Sequence, residues 1–102
     1  MKRVTPRTPN PYRTLYKQYA ETQFTLEEVL KEFQHCTIYG FLDNTSLYIV
    51  DGSKILLLFD SIGYDDDDCV PTLYEAYPQF GEDFDEIANC YLEDGFKPTK
   101  LN

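Results

Sequence analysis

Five consecutive apolar residues, Ile55-Leu56-Leu57-Leu58-Phe59, are the feature that most constrains what this chain can fold into. The run is far shorter than the roughly 18 residues a bilayer span needs. Turn chemistry at Asp51-Gly52 precedes it, so it reads as a strand. Side chains alternate along a strand, which places Leu56 and Leu58 opposite Ile55, Leu57 and Phe59. Neither set tolerates water as a neighbour. Both faces of the sheet must therefore be covered, by helices on two sides or by a second subunit.

The neighbouring segments supply the rest of an α+β fold. Residues 37–42, 46–50 and 54–60 have strand character and are separated by Asp43-Asn44 and Asp51-Gly52. Asp-Gly suits a type I′ hairpin, so a three-stranded antiparallel meander is the simplest topology. Thr25 with Glu28 three residues on forms a capping box, and Leu26, Val29, Leu30 and Phe33 follow at helical spacing, predicting a helix over 26–35. Phe84, Ile87, Ala88, Tyr91 and Leu92 form a second stripe over 83–94, with Gly95 at the C-cap position. These two helices are the candidate covers, one per face. Shorter helices are expected over 12–21 and, from a second Thr-x-x-Glu signal at Thr72 and Glu75, up to Pro78. Residues 63–71 read as a loop and 98–102 as a frayed tail. With 102 residues there is room for one domain. Residues 1–11, rich in proline and basic side chains, read as an extended arm, and 12–102 as a single acidic α+β domain.

Charge is distributed unevenly. Residues 1–17 carry five bases and no acid, whereas residues 18–102 carry 18 acids against four bases. Between Asp60 and Asp94 lie twelve carboxylates and no Lys or Arg. That stretch cannot be salt-bridged from within. It excludes direct binding of nucleic acid by the acidic body, since such binding depends on basic side chains displacing counterions. A cationic protein surface is the expected partner. Tyr64, Tyr74 and Tyr77 flank the run Asp65-Asp66-Asp67-Asp68, and a ring with a polar tip makes good interface area. With Glu82, Glu86 and Glu93 on the polar side of the last helix, these residues make up the expected partner-binding patch.

Chemistry beyond binding finds no support in the residues. Four adjacent aspartates along an extended chain point to alternate sides, and their spacing is not that of a calcium loop. No metal or other cofactor is expected. Cys36, Cys69 and Cys90 form no Cys-x-x-Cys pair, and His35 is the single histidine, so neither a zinc site nor a disulfide framework is indicated. Cys36 and Cys90 read as structural, at least half-buried thiols. Cys69, among acids, should be a poor nucleophile. Clustered, exposed carboxylates lack the contrasting environments that acid–base catalysis requires, so the chain is not expected to be an enzyme. Reduced cysteines and the absence of an apolar leader or membrane span fit a cytoplasmic location.

The last helix would be about 20 Å long, and a duplex of that length bears roughly twelve phosphates. The helix offers six carboxylates and the tetra-Asp run four more, approaching the charge density of one duplex face. In composition, though in no residue motif, the chain is similar to the small inhibitors by which phages and mobile elements occupy nucleic-acid sites of host enzymes, including anti-restriction, anti-CRISPR and uracil-glycosylase-inhibitor proteins. The likeness carries no functional residues over. It implies a nucleic-acid mimic of the anti-defence type that blocks a basic, nucleic-acid-binding surface of its partner. The alternative is an oligomerising regulator or accessory subunit, a homodimer for instance, in which the basic arm of one chain docks on the acidic body of another.

Overall fold

The computed structural model describes residues 11–65, 70–79 and 81–102. In chain order the elements are α1 (Pro11–Tyr19), β1 (Gln23–Phe24), α2 (Leu26–Glu32), β2 (Thr37–Phe41), β3 (Ser46–Asp51), β4 (Lys54–Tyr64), β5 (Pro71–Tyr77), α3 (Phe84–Glu93) and β6 (Thr99–Lys100). The fold is α+β. The expected meander β2-β3-β4 is present but forms only the middle of a six-stranded antiparallel sheet ordered β1-β5-β4-β3-β2-β6. Helices α1 and α2 lie on one face and α3 on the other.

Strand β4 is covered on both faces, but not by simple alternation. Ile49 pairs with Leu57 and Val50 with Ile55, so Leu56 is an extra residue in a bulge. A bulge resets the pleat. In consequence Ile55 and Leu58 share one core with Phe84 and Ala88 of α3, together with Phe41, Tyr48 and Val50. Leu57 and Phe59 enter the other, with Val29, Phe33, Ile38, Leu47 and Ile49, and Leu56 packs against that same core. The expected grouping of Leu56 with Leu58, and of Ile55 with Leu57, is thus overturned by one inserted residue.

The helix signals fare well where tertiary pairing does not compete. Thr25 Oγ1 accepts from the Glu28 amide at 3.3 Å while the Thr25 amide donates to Glu28 Oε1 at 2.9 Å, completing the capping box. These bonds hold the Glu28 carboxyl below its usual range. At the end of α3, the Phe96 amide donates to Tyr91 O and the Gly95 amide to Leu92 O, with Gly95 at φ +90. This is a Schellman cap, and it requires the residue that glycine supplies at no steric cost. The Thr72/Glu75 signal, by contrast, does not start a helix. Residues 71–77 are strand β5, whose buried residues Tyr74 and Ala76 have period two and which pairs with both β4 and β1. A capping box is worth about 1 kcal/mol, less than burial of two side chains and pairing along two edges can supply.

Two further expectations are corrected. At the β3–β4 hairpin Asp51 pairs with Lys54, so the two loop residues are Gly52 and Ser53, and of these only Gly52 has positive φ. That is the glycine-first pattern of a type II′ turn rather than type I′. The C-terminus is an edge strand instead of a frayed tail: Leu101 N–H donates to Ile38 O at 2.9 Å, and the Asn102 amide accepts from Ile38 N–H at 3.0 Å and donates to Cys36 O at 2.8 Å. One carboxamide thereby prolongs the ladder along β2. On the opposite flank the Tyr19 hydroxyl donates to Glu32 Oε1 at 2.6 Å, joining α1 to α2.

Leu57→Ala and Leu58→Ala should each cost about 2–5 kcal/mol, and Leu56→Ala less, because Leu56 sits in the bulge and is only partly buried. Since both covers come from the same chain, urea denaturation at two protein concentrations should give the same losses. The Tyr19 hydroxyl supplies a pH signature. Burial, and then the Glu32 carboxylate, push it up to about 12 from 10. The fold therefore favours its protonated form, giving stability that is whole below the unfolded pKa near 10 and lost as pH rises toward 12. Tyr19→Phe should lower stability at neutral pH and flatten the loss in that window, read from urea midpoints across the alkaline range.

Candidate functional site

The sheet has two unlike ends. At the lower one, β3 runs into the Gly52 turn, Lys54 bridges to Asp83, and α3 begins with Phe84 N–H donating to Ser53 O at 2.8 Å. Asp83 is the N-cap, accepting from the Asp85 and Glu86 amides at 2.9 and 3.4 Å. Its carboxylate also lies 4.0 Å from Lys54 Nζ, a largely solvated pair. At the upper end three pieces converge: the β2–β3 turn, the loop after α3, and a two-stranded arm in which β4 continues past β3.

Register defines that arm. Pairing of β3 with β4 stops at Ser46–Asp60, where Ser46 Oγ donates to Asp60 Oδ1 at 2.9 Å, yet β4 pairs with β5 as far as Tyr64–Pro71. Two register shifts, at 61/63 and 63/64, twist the ribbon. Asp65 N–H donates to Val70 O at 2.8 Å just beyond the last strand pair. Tyr64 and Val70, both 51% exposed, stand at the arm's tip, with Ile62 exposed below them.

The turn between β2 and β3 is strained. Leu42, Asp43 and Asn44 have φ values of 55, 57 and 67, three successive non-glycine residues in the left-handed region, where each costs of order 1 kcal/mol. Local bonds hold it: Thr45 N–H donates to Leu42 O at 3.2 Å, Ser61 N–H to Thr45 O at 2.9 Å, and the Tyr74 hydroxyl to Asn44 O at 2.7 Å. The Asn44 carboxamide lies over Gly40, where any β-carbon would collide with it. Burial, with Tyr64 adding to it, raises the Tyr74 pKa and keeps that hydroxyl a donor. Between this turn and the loop after α3 is an open cavity of about 340 Å3, lined by Gly40, Leu42, Asp43, Asn44, Gly95, Phe96, Lys97 and Thr99.

The residues singled out from sequence are therefore dispersed. Tyr64 and Asp65 are on the arm at the upper end, and Glu93 ends α3 on the same side. Glu82, at the entry to α3, lies at the lower end with Glu86 one turn above it, and Tyr77, the last residue of β5, pairs with Leu58 midway along β4; all three are exposed. Tyr74 is not a surface residue: at 1% exposure it belongs to the core with Phe24 and Phe59. Alternation within β5, invisible while the segment was read as helical, turns it inward. Asp66, Asp67, Asp68 and Cys69 lie outside the described residues.

Cys36 is half-buried, and burial together with Asp51 pushes its thiol pKa up. Cys90 is exposed, contrary to expectation, because it lies opposite the Phe84/Ala88 stripe, and Leu92 is likewise exposed. Among the described residues no group of three or more His, Cys, Asp or Glu could hold a metal ion. No described helix is long and apolar enough to cross a membrane.

Sequence reasoning missed the upper end as a unit. Leu42 and Phe96 carry no motif, yet among the described residues six of the seven exposed large apolar ones, Leu42, Ile62, Tyr64, Val70, Leu92 and Phe96, occur on its three pieces or in the last turn of α3. Asp43, Asp60, Asp65, Glu93 and Asp94 accompany them. No known protein family, curated protein or solved structure matches the chain.

The strain at Leu42 can be measured. Leu42→Gly should leave stability unchanged or raise it by up to about 1 kcal/mol, relief of the left-handed backbone outweighing glycine's entropy. Leu42→Val, β-branched, should lower it by a similar amount or more. An ordinary exposed leucine would show the reverse order in thermal or urea unfolding.

Proposed function

We propose that the chain is a small acidic interaction protein that uses the upper end of its sheet to block a basic, nucleic-acid-binding surface of a partner protein. The observation that carries this reading is the coincidence of exposed apolar side chains with carboxylates at one end of the molecule. Apolar residues rimmed by like charges mark interaction surfaces better than either feature does alone. The arm adds reach, since Tyr64 and Val70 at its tip bracket the tetra-Asp run in the sequence. Carboxylates steer a cationic partner, and the apolar groups then shed water against it. On this reading the chain is an inhibitor without catalytic chemistry, and the anti-defence role is its most specific form.

A second reading rests on the sequence dipole of five bases in residues 1–17 and the acidic remainder. The basic arm would then bind the acidic body of a second chain. Deleting the arm, residues 1–11, separates the two, because it dissociates such an oligomer and leaves an inhibitor active.

The deciding experiment is capture from the heparin-binding fraction of a cell lysate on the immobilised chain. Wild type should retain proteins that added duplex DNA or RNA displaces. Replacing Asp65 to Asp68 by lysine should abolish retention while the thermal midpoint stays level or rises, as like-charge repulsion is relieved. Retention unaffected by the reversal, or indifferent to nucleic acid, would sink the proposal.

A further inference from the structure

The cavity beside the left-handed turn has walls of two kinds. Leu42 and Phe96 are exposed large apolar residues, and Asp43 contributes a carboxylate from the middle of the turn. Gly95 leaves room, with nothing within 4 Å of where its β-carbon would stand. The cavity borders the C-terminal end of α3, whose last turn has no basic residue and is followed by Asp94. The negative end of the helix dipole and the neighbouring Glu93 and Asp94 bias the site toward cations. Lys97 also lines it; that side chain is exposed, and no ion pair joins it to Asp43 among the described residues.

We propose that this cavity is an anchor pocket for one arginine side chain of the partner, its aliphatic stem against Leu42, its guanidinium over the Phe96 ring and paired with Asp43. The inference rests on the reading that the partner surface is basic, and it names the group by which that surface is gripped. Arginine fits better than lysine because a planar fork both pairs with a carboxylate in two bonds and stacks on an aromatic face. Lys97 then acts as a rival charge at the rim, a brake on affinity rather than a contact.

The rigid left-handed turn gives the proposal its structural logic. Asp43 is the middle residue of three with positive φ, and Asn44, next to it, accepts at its carbonyl from the hydroxyl of the buried Tyr74, with its carboxamide lying over Gly40. The backbone that carries this carboxylate is already set before a ligand arrives, so only the short side chain remains to be ordered on binding.

The test uses the full isotope-labelled chain and a small probe, N-acetyl-arginine methylamide, which has the cation and no free carboxylate. Titration should shift the amides of residues 42–44 and 95–99 with a millimolar dissociation constant. N-acetyl-lysine methylamide should act more weakly, and N-acetyl-leucine methylamide should leave them unmoved. Asp43→Asn and Phe96→Ala should each weaken the arginine response by roughly two- to fivefold, and Lys97→Ala should strengthen it. An equal response to the leucine probe would make the pocket merely apolar. Weaker binding in Lys97→Ala would assign it to an acceptor-bearing ligand, and no shift up to the probe's solubility would remove the site. Any of these three results overturns the proposal. Replacing Asp65 to Asp68 by lysine should leave the arginine shifts in place, so loss of protein capture with an intact pocket refutes only the wider reading.

Discussion

Burial of β4 on both faces is the constraint on which the rest of the structure depends. Ile55 and Leu57 are fully buried although they enter different cores, and Phe59 is as inaccessible as either. A strand of this kind cannot end a sheet, so β3 and β5 must flank it, and it cannot face solvent, so α2 and α3 must take opposite sides. The bulge at Leu56 decides which residues serve which core, placing Ile55 with Leu58 where strict alternation would have put it with Leu57. Segment 81–84 completes the arrangement, bonding along the lower part of β4 through Ile55 N–H to Glu82 O at 2.8 Å and Gly81 N–H to Ile55 O at 3.0 Å. It continues the edge that β5 has left and delivers the chain directly to the start of α3.

On the α3 side the core is aromatic. Phe84 stacks on Tyr39 with ring centroids 4.4 Å apart, Tyr91 stacks on Phe41 at 4.1 Å, and Tyr48 meets both Phe84 and Tyr91 edge-on. The Tyr48 and Tyr91 hydroxyls lie 3.3 Å apart in a hydrogen bond, and burial raises the Tyr48 pKa and keeps that hydroxyl protonated. Wide rings at i and i+7 of one helix let a ten-residue segment cover a face that aliphatic side chains would leave partly open. Leu92 is consequently surplus to the core and stands exposed, ready to contribute to a surface.

What the sequence made legible was local or compositional. Capping at Thr25, the stripe of α3, the glycine after it and the two-sided demand of β4 all depend on residues close in the chain, and all are present. The misread parts depend on partners far away. Residues 71–77 look helical until β4 and β1 are available to pair with them, Tyr74 looks exposed for the same reason, and the C-terminal residues look idle until β2 offers them an edge. A bulge is likewise silent, since nothing in a run of leucines marks which one is left without a partner. The candidate site suffers most, because it is assembled from a turn, a helix end and a hairpin that lie far apart in the chain, and the left-handed turn has no glycine to announce it.

The acidic character and the small cores are compatible because the charges lie where they cost the fold little. The carboxylates of α3 fall at its exposed positions, two of them in the first turn where the helix dipole favours them, and those at the upper end reach into water. Ser46–Asp60 is the exception, a partly buried hydroxyl–carboxylate bond at the point where the sheet narrows into the arm. Repulsion among solvated acids is screened within roughly 8 Å at physiological salt, so it taxes stability weakly while its field still extends far enough to meet an approaching cation. A fold that stores its cohesion in two aromatic and aliphatic layers can therefore leave one end charged, apolar and strained together.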